Sequence, residues 1–307
     1  MSKALGLSHE QLKERMSYVT ATEASVVCGV SPWGNIIDLW NQKIGMSLPD
    51  DLSDNHYVKA GLYLEAPIAA WFCDETGKTC VEDDTLKVHK TLPFLAAHTD
   101  RVIVNESALL ECKNSASLKT WAGIEDNIIP DHYLVQIAHE AMCWDVERVY
   151  IAVLLSGNDL KYAHYDRNDK LEQAIIEKCG AFWDCVKNET APAPRTSAEV
   201  QSLYANQLLD EEPLIATQDV EESLAKVREF KSSIESYSQA KEKEEDKIKV
   251  YMGKHSILHG SNGKITASWK TTKDRTLFDK SRFEQENGEL YGQYTVTKPG
   301  SRRFLLK

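Results

Sequence analysis

Apolar residues recur along this 307-residue chain with two periods, and the changes between them divide it into elements. The first spacing is helical. Ser8 heads a short amphipathic stretch with Glu10 and Gln11 in its first turn. Thr20–Gly29 reads as a second helix, and Ile36–Ile44 as a third beyond the turn Ser31-Pro32-Trp33-Gly34. Residues 47–56 form a polar loop. A further helix spans Gly61–Asp74, with Leu62, Ile68, Ala69 and Phe72 apolar and Pro67 acceptable only near its start.

Strand signals follow, over Thr79–Val81, Leu86–His89, Leu95–Val104 and Ala108–Lys113. Residues 131–145 return to helix. Val149–Leu155 and Tyr162–Tyr165 pair across Gly157-Asn158-Asp159, and Asp169–Lys187 is a long helix. This order predicts a mixed α/β domain over residues 1–190, its central sheet flanked by helices.

Ala191-Pro192-Ala193-Pro194 opens a linker over 191–217. From 218 to 252 the apolar positions follow a heptad. Val220, Val227, Ile234 and Ile248 lie on one track, and Phe230, Tyr237 and Tyr251 on the other. Lys241 and Glu244 interrupt the two tracks, which favours a helical arm packed within its own chain over a free oligomeric coil. Residues 253–307 form a basic extension in which Lys264–Lys270 alternates like a strand and Phe283–Thr297 reads as short strand and turn.

Composition narrows the class. No apolar run approaches the roughly 18 residues of a membrane span, and the polar start lacks a secretory segment, so a cytoplasmic location is expected. The seven cysteines are odd in number and contain no Cys-x-x-Cys pair, which argues against zinc ribbons and a disulfide framework. Net charge is −11, unevenly spread: residues 264–307 hold ten Lys or Arg against five acids, leaving −16 on the rest. A basic tail on an acidic body is compatible with a phosphate-rich partner without indicating one.

Candidate chemistry centres on Glu111-Cys112-Lys113, at the end of the apolar run Ala108–Leu110. On a strand Glu111 and Lys113 share a face while Cys112 points the other way. The link Asn105-Glu106-Ser107 folds the preceding strand back, bringing Asp100 near Glu111. Two acids and an ammonium at a strand end suit a metal-dependent phosphodiesterase, the acids holding a hard cation and the amine orienting water. A strand edge emerging into solvent with an ordinary ion pair fits the same residues. Glu65 stands where it could bridge to a second ion, or is a surface acid. Gln136 either bonds within the core or orients the attacking water. His98 shares the face of Asp100 and reads as a core histidine in preference to a ligand. Arg15 and Thr22, beside a helix start, could seat a phosphate, or serve as surface Arg and cap.

Taken together, these pieces are familiar. Arg15 to Glu23, Cys28-Gly-Val-Ser-Pro-Trp33, Asp38-Leu-Trp40 through Gly45, Gly61 to Glu65, His98-Thr-Asp100, Leu110-Glu-Cys-Lys113 and Tyr133-Leu-Val-Gln136-Ile stand in order. Residues 11–188 so resemble the YqaJ-type phage recombination exonucleases, relatives of lambda exonuclease with a restriction-endonuclease-like core. The resemblance implies a 5′-to-3′ exonuclease on double-stranded DNA ends, dependent on Mg²⁺ (Mn²⁺ as substitute), with two ions per site. It implies that Asp100, Glu111 and the Cys112 carbonyl hold one metal and that Glu65 serves the second. Lys113 would position the nucleophile with Gln136 beside it, and Arg15 and Thr22 would seat the 5′ phosphate. A homo-oligomeric ring (a trimer), a single-strand annealing protein and the cytosol of a bacterium or phage-infected host are the implied context. A site- or structure-specific endonuclease and a catalytically idle binding module remain as alternatives on the same fold.

Overall fold

The computed structural model describes residues 15–49, 52, 54–205, 212–298 and 300–306. The expected helix at Ser8 lies outside them. The chain divides into two units at 205/206.

In the first unit, α1 (Ala21–Cys28), α2 (Ile36–Lys43) and α3 (His56–Thr76) precede the strands. Strands β1 (Cys80–Val81), β4 (Arg101–Ile103), β5 (Ala108–Ser115), β6 (Arg148–Leu155) and β7 (Asp159–Asp166) form one sheet in the order β1-β4-β5-β6-β7. All its pairings are antiparallel except β5 with β6, which run parallel and are joined through α4 (Asp131–Trp144). A separate ribbon pairs β2 (Lys87–Val88) with β3 (Ala96–Ala97). The single strand expected over Leu95–Val104 is thus two, broken at His98–Asp100, and the break carries a candidate acid out of the ladder.

Both faces of the sheet are covered, so β6 is apolar along nearly its whole length. Leu109, Val149, Ile151, Val153 and Leu155 pack with α1, α2, α4 and α5 (Asp169–Lys187). Leu110, Tyr150, Ala152 and Leu154 pack with Ile68, Ala69 and Phe72 of α3. Pro67 lies in the middle of the 21-residue α3, not near its start. It sits on the exposed side, where the carbonyl it leaves unbonded faces water, while the buried residues after it hold the helix to the sheet.

Residues 191–205, read from sequence as linker, carry α6 (Ser197–Leu203), which packs on α2. Glu199 is buried and accepts from the backbone N–H of Ile36 (3.4 Å), Arg195 (2.5 Å) and Thr196 (3.1 Å). The Arg195 guanidinium donates to the carbonyls of Val26 and Val27. Gly29 ends α1 at φ +80°, and a Cβ there would stand 2.8 Å from that guanidinium.

In the second unit, α7 (Gln218–Met252) is one continuous helix. Among the described residues its heptad stripe is exposed, Phe230 at 60% and Ile234 at 65%. A hairpin of β8 (Ile257–His259) and β9 (Ile265–Ser268) follows, its first strand unforeseen. The strand and turn expected over 283–297 are instead two short helices, α8 (Lys280–Glu286) and α9 (Gly288–Tyr294). The Asp279 side chain accepts from the Arg282 N–H, and Arg282 pairs with Glu286 one turn on, local bonds that outweigh a weak alternation. No helix among the described residues is long and apolar enough to cross a membrane.

Glu199→Ala leaves those backbone donors unpaired. It should lower the stability of the first unit by about 2–3 kcal/mol in urea unfolding and open residues 191–205 to limited proteolysis.

Candidate active site

The site is a product of strand alternation. Leu109 points to the core beneath α4, Leu110 and Cys112 to the core beneath α3, so Glu111 and Lys113 project toward α4. Lys113 Nζ lies 2.5 Å from Glu111 Oε1 and 5.1 Å from the centre of the Tyr133 ring. Gln136, on α4, donates through Nε2 to the same Glu111 oxygen at 2.6 Å. From the break before β4, Asp100 Oδ2 accepts the Cys112 N–H at 2.7 Å, where the antiparallel register Arg101↔Leu110 delivers it. The N–H and C=O of one strand residue point to the same side. The Cys112 carbonyl therefore opens toward Asp100.

These groups strain against one another. Burial raises the Asp100 carboxyl well above the usual carboxylate range, and the charge of Glu111 raises it further. Burial disfavours the Lys113 ammonium, but Glu111 and Asp100 outweigh it and hold the charge firmly.

Of the other expected residues, Glu65 and Arg15 have partners of their own. Glu65, on α3, is held at 2.6 Å by Arg101 Nη1, which also donates to the Asp100 carbonyl at 2.5 Å. Arg101 Nη2 lies 3.3 Å from Glu82. Arg15 and Thr22 make no hydrogen bond or ion pair with Asp100, Glu111 or Lys113 among the described residues. At their end of α1, Glu23 accepts the Thr20 N–H at 2.8 Å and pairs with Lys43 at 2.7 Å, with Arg15 at 3.9 Å. A phosphate seated there would compete with Glu23. His98 is exposed, against the core reading. Among the described residues the buried histidine is His139, whose Nε2–H donates to the Ala96 carbonyl and whose pKa burial pushes down to about 4.

Two residues escaped the sequence reading. Arg101 follows Asp100 directly, and an arginine inside an apolar run was its available signal. Glu140 lies one helical turn beyond Gln136, is 1% exposed, and accepts from Gln136 Nε2 at 3.0 Å. A carboxylate amid Ile137, Ala138 and Ala141 was the clue.

The donor set fits a hard divalent cation. Lys113 and Gln136 engage one oxygen of Glu111, and the Cys112 N–H engages one of Asp100, so each acid keeps a second oxygen for a ligand. Burial and the nearby charge of Glu111 both disfavour an ionised Asp100, and a bound cation would offset both. Among the described residues no three Asp, Glu, His or Cys side chains group closely enough to cage an ion alone. Mg²⁺ does not require that, since it keeps waters and takes phosphate oxygens beside one or two carboxylates.

Known proteins resemble this chain in sequence and in fold. A sequence profile described as the YqaJ-like viral recombinase domain matches residues 10–147. The uncharacterized protein YqaJ of Bacillus subtilis (strain 168) is 30% identical over 97% of this chain and 93% of its own. The fold is similar to that of an alkaline exonuclease (LHK-Exo) from Laribacter hongkongensis, solved alone and in complex with dAMP. Each of those structures has a TM-score of 0.50 at 19% identity, over 60% of this chain and 94% of the exonuclease. With a relative of that identity aligned along nearly its whole length, the chain belongs to the YqaJ family.

Proposed function

We propose that this protein is a divalent-metal-dependent deoxyribonuclease that degrades linear duplex DNA from its 5′ ends, leaving 3′ single strands for recombination. The observation that carries the proposal is the meeting of Asp100, Glu111 and Lys113 at the end of β5, with Gln136 hydrogen-bonded to Glu111. The family's description as a viral recombinase and the exonuclease fold of the Laribacter protein support it.

Asp100, Glu111 and the Cys112 carbonyl would hold the ion. When bound, it supplies charge stabilisation at the phosphate and a more acidic water. Lys113, kept protonated by its two acidic neighbours, orients the attacking water and balances charge on the phosphate oxygens. Gln136 fixes Glu111 and so the direction of its second oxygen. Buried on the sheet, these groups need little reorganisation during reaction.

Incubation with end-labelled linear and closed circular duplex, with and without Mg²⁺, tests the proposal. Linear 5′-phosphorylated DNA should shorten and the circle persist; cutting of the circle would identify an endonuclease, and digestion in EDTA would refute the mechanism. Lys113→Ala should lower the rate at least about a hundredfold with circular dichroism unchanged.

A pH dependence follows from the raised Asp100 carboxyl. An acid whose pKa is higher folded than unfolded stabilises the fold below its unfolded value and loses that contribution as pH rises through the folded one. The metal-free protein should therefore lose that contribution progressively as pH rises above the usual carboxylate range. The rise in melting temperature on adding Mg²⁺ should be larger at pH 7.5 than at pH 5, measured by thermal shift.

A further inference from the structure

We infer that Glu140 is a positioning residue of the active site, acting through the Gln136 amide, an assignment that rests on the nuclease reading above. Glu140 is 1% exposed, its Oε1 accepts from Gln136 Nε2 at 3.0 Å, and its Oε2 has no hydrogen-bond partner among the described residues. A buried carboxylate so poorly satisfied is costly unless it serves something. What it serves is visible in the order of contacts. Glu140, Gln136, Glu111 and Lys113 form one hydrogen-bonded series of four side chains running from α4 to β5.

The amide is the pivot. A primary amide has two N–H donors on one nitrogen, and only that nitrogen can face two carboxylates. Glu111 takes one N–H and Glu140 the other, so neither a flip nor a swing of Gln136 preserves both bonds. The amide oxygen is thereby turned away from both acids, where it can accept from a water. Glu111 Oε1 is likewise committed to Gln136 and Lys113, which leaves Oε2 as the oxygen that would hold an ion. Spacing along the helix makes the arrangement possible, since residues four apart lie one above the other on the same face.

The experiment uses the full chain, linear 5′-phosphorylated duplex and Mn²⁺. Glu140→Leu should lower kcat about tenfold to a hundredfold, the usual cost of removing an outer partner at a metal site, with KM for DNA within about twofold. Mn²⁺ affinity by calorimetry without DNA should fall about tenfold or more. Glu140→Gln, which keeps an acceptor oxygen, should recover most of both losses. In a Gln136→Leu background the Glu140→Leu change should add nothing, because its effect passes through the amide. Losses that multiply in the double variant overturn the inference, as do an unchanged kcat and Mn²⁺ affinity in Glu140→Leu. If Glu140→Leu fails to fold, Glu140→Met supplies the same comparison in an unbranched chain. Should wild type digest no DNA, the nuclease reading falls, and the calorimetric comparison still decides whether Glu140 orders the acids.

Discussion

The parallel pairing of β5 with β6 is the constraint on which the site depends. A parallel neighbour cannot be reached by a tight turn, so the chain must cross over the sheet, and here it does so through α4. That crossover lays the face carrying Gln136 and Glu140 above Glu111. Buried pairing on both sides of β6 holds β5 in register, and a slip of one residue would send Glu111 into the core beneath α3 and Cys112 toward α4. The chemistry is thus tied to the ladder, not to a loop.

Electrostatics then sets the character of the site. Three acids and one ammonium lie within a buried region, and their mutual repulsion is relieved only partly by Lys113. Burial raises the Glu140 carboxyl well above the usual carboxylate range, with the charge of Glu111 adding to it, as happens for Asp100. Such a cluster is poorly tolerated in a structure without a cation-binding task, because hydrophobic replacements of similar size are often no less stable.

Much of the fold was legible because period and punctuation agreed. Asp169–Lys187 and the helix over 218–252 were readable to their ends, and the β5 alternation was explicit in Leu109, Leu110, Glu111, Cys112 and Lys113. The misreadings have tertiary causes. Pro67 was expected near the start of its helix, but burial of Ile68 and Phe72 carries α3 across it. The stretch 95–104 reads as one strand, and nothing local shows that His98–Asp100 leaves the ladder. Glu140 and Arg101 belong to the site through contacts at long sequence separation, Glu65 with Arg101 and Glu111 with Gln136, which no local pattern encodes.

Arg101 has a consequence of its own. Its two terminal nitrogens reach the Glu65 carboxylate, the Asp100 carbonyl and Glu82, three acceptors on three different segments. A flat, forked cation can serve such divergent directions at once; the single tetrahedral head of a lysine cannot. The positive charge is therefore the less demanding part of this position, and shape the more demanding one. A lysine there would keep the charge and lose the fork that joins these three acceptors.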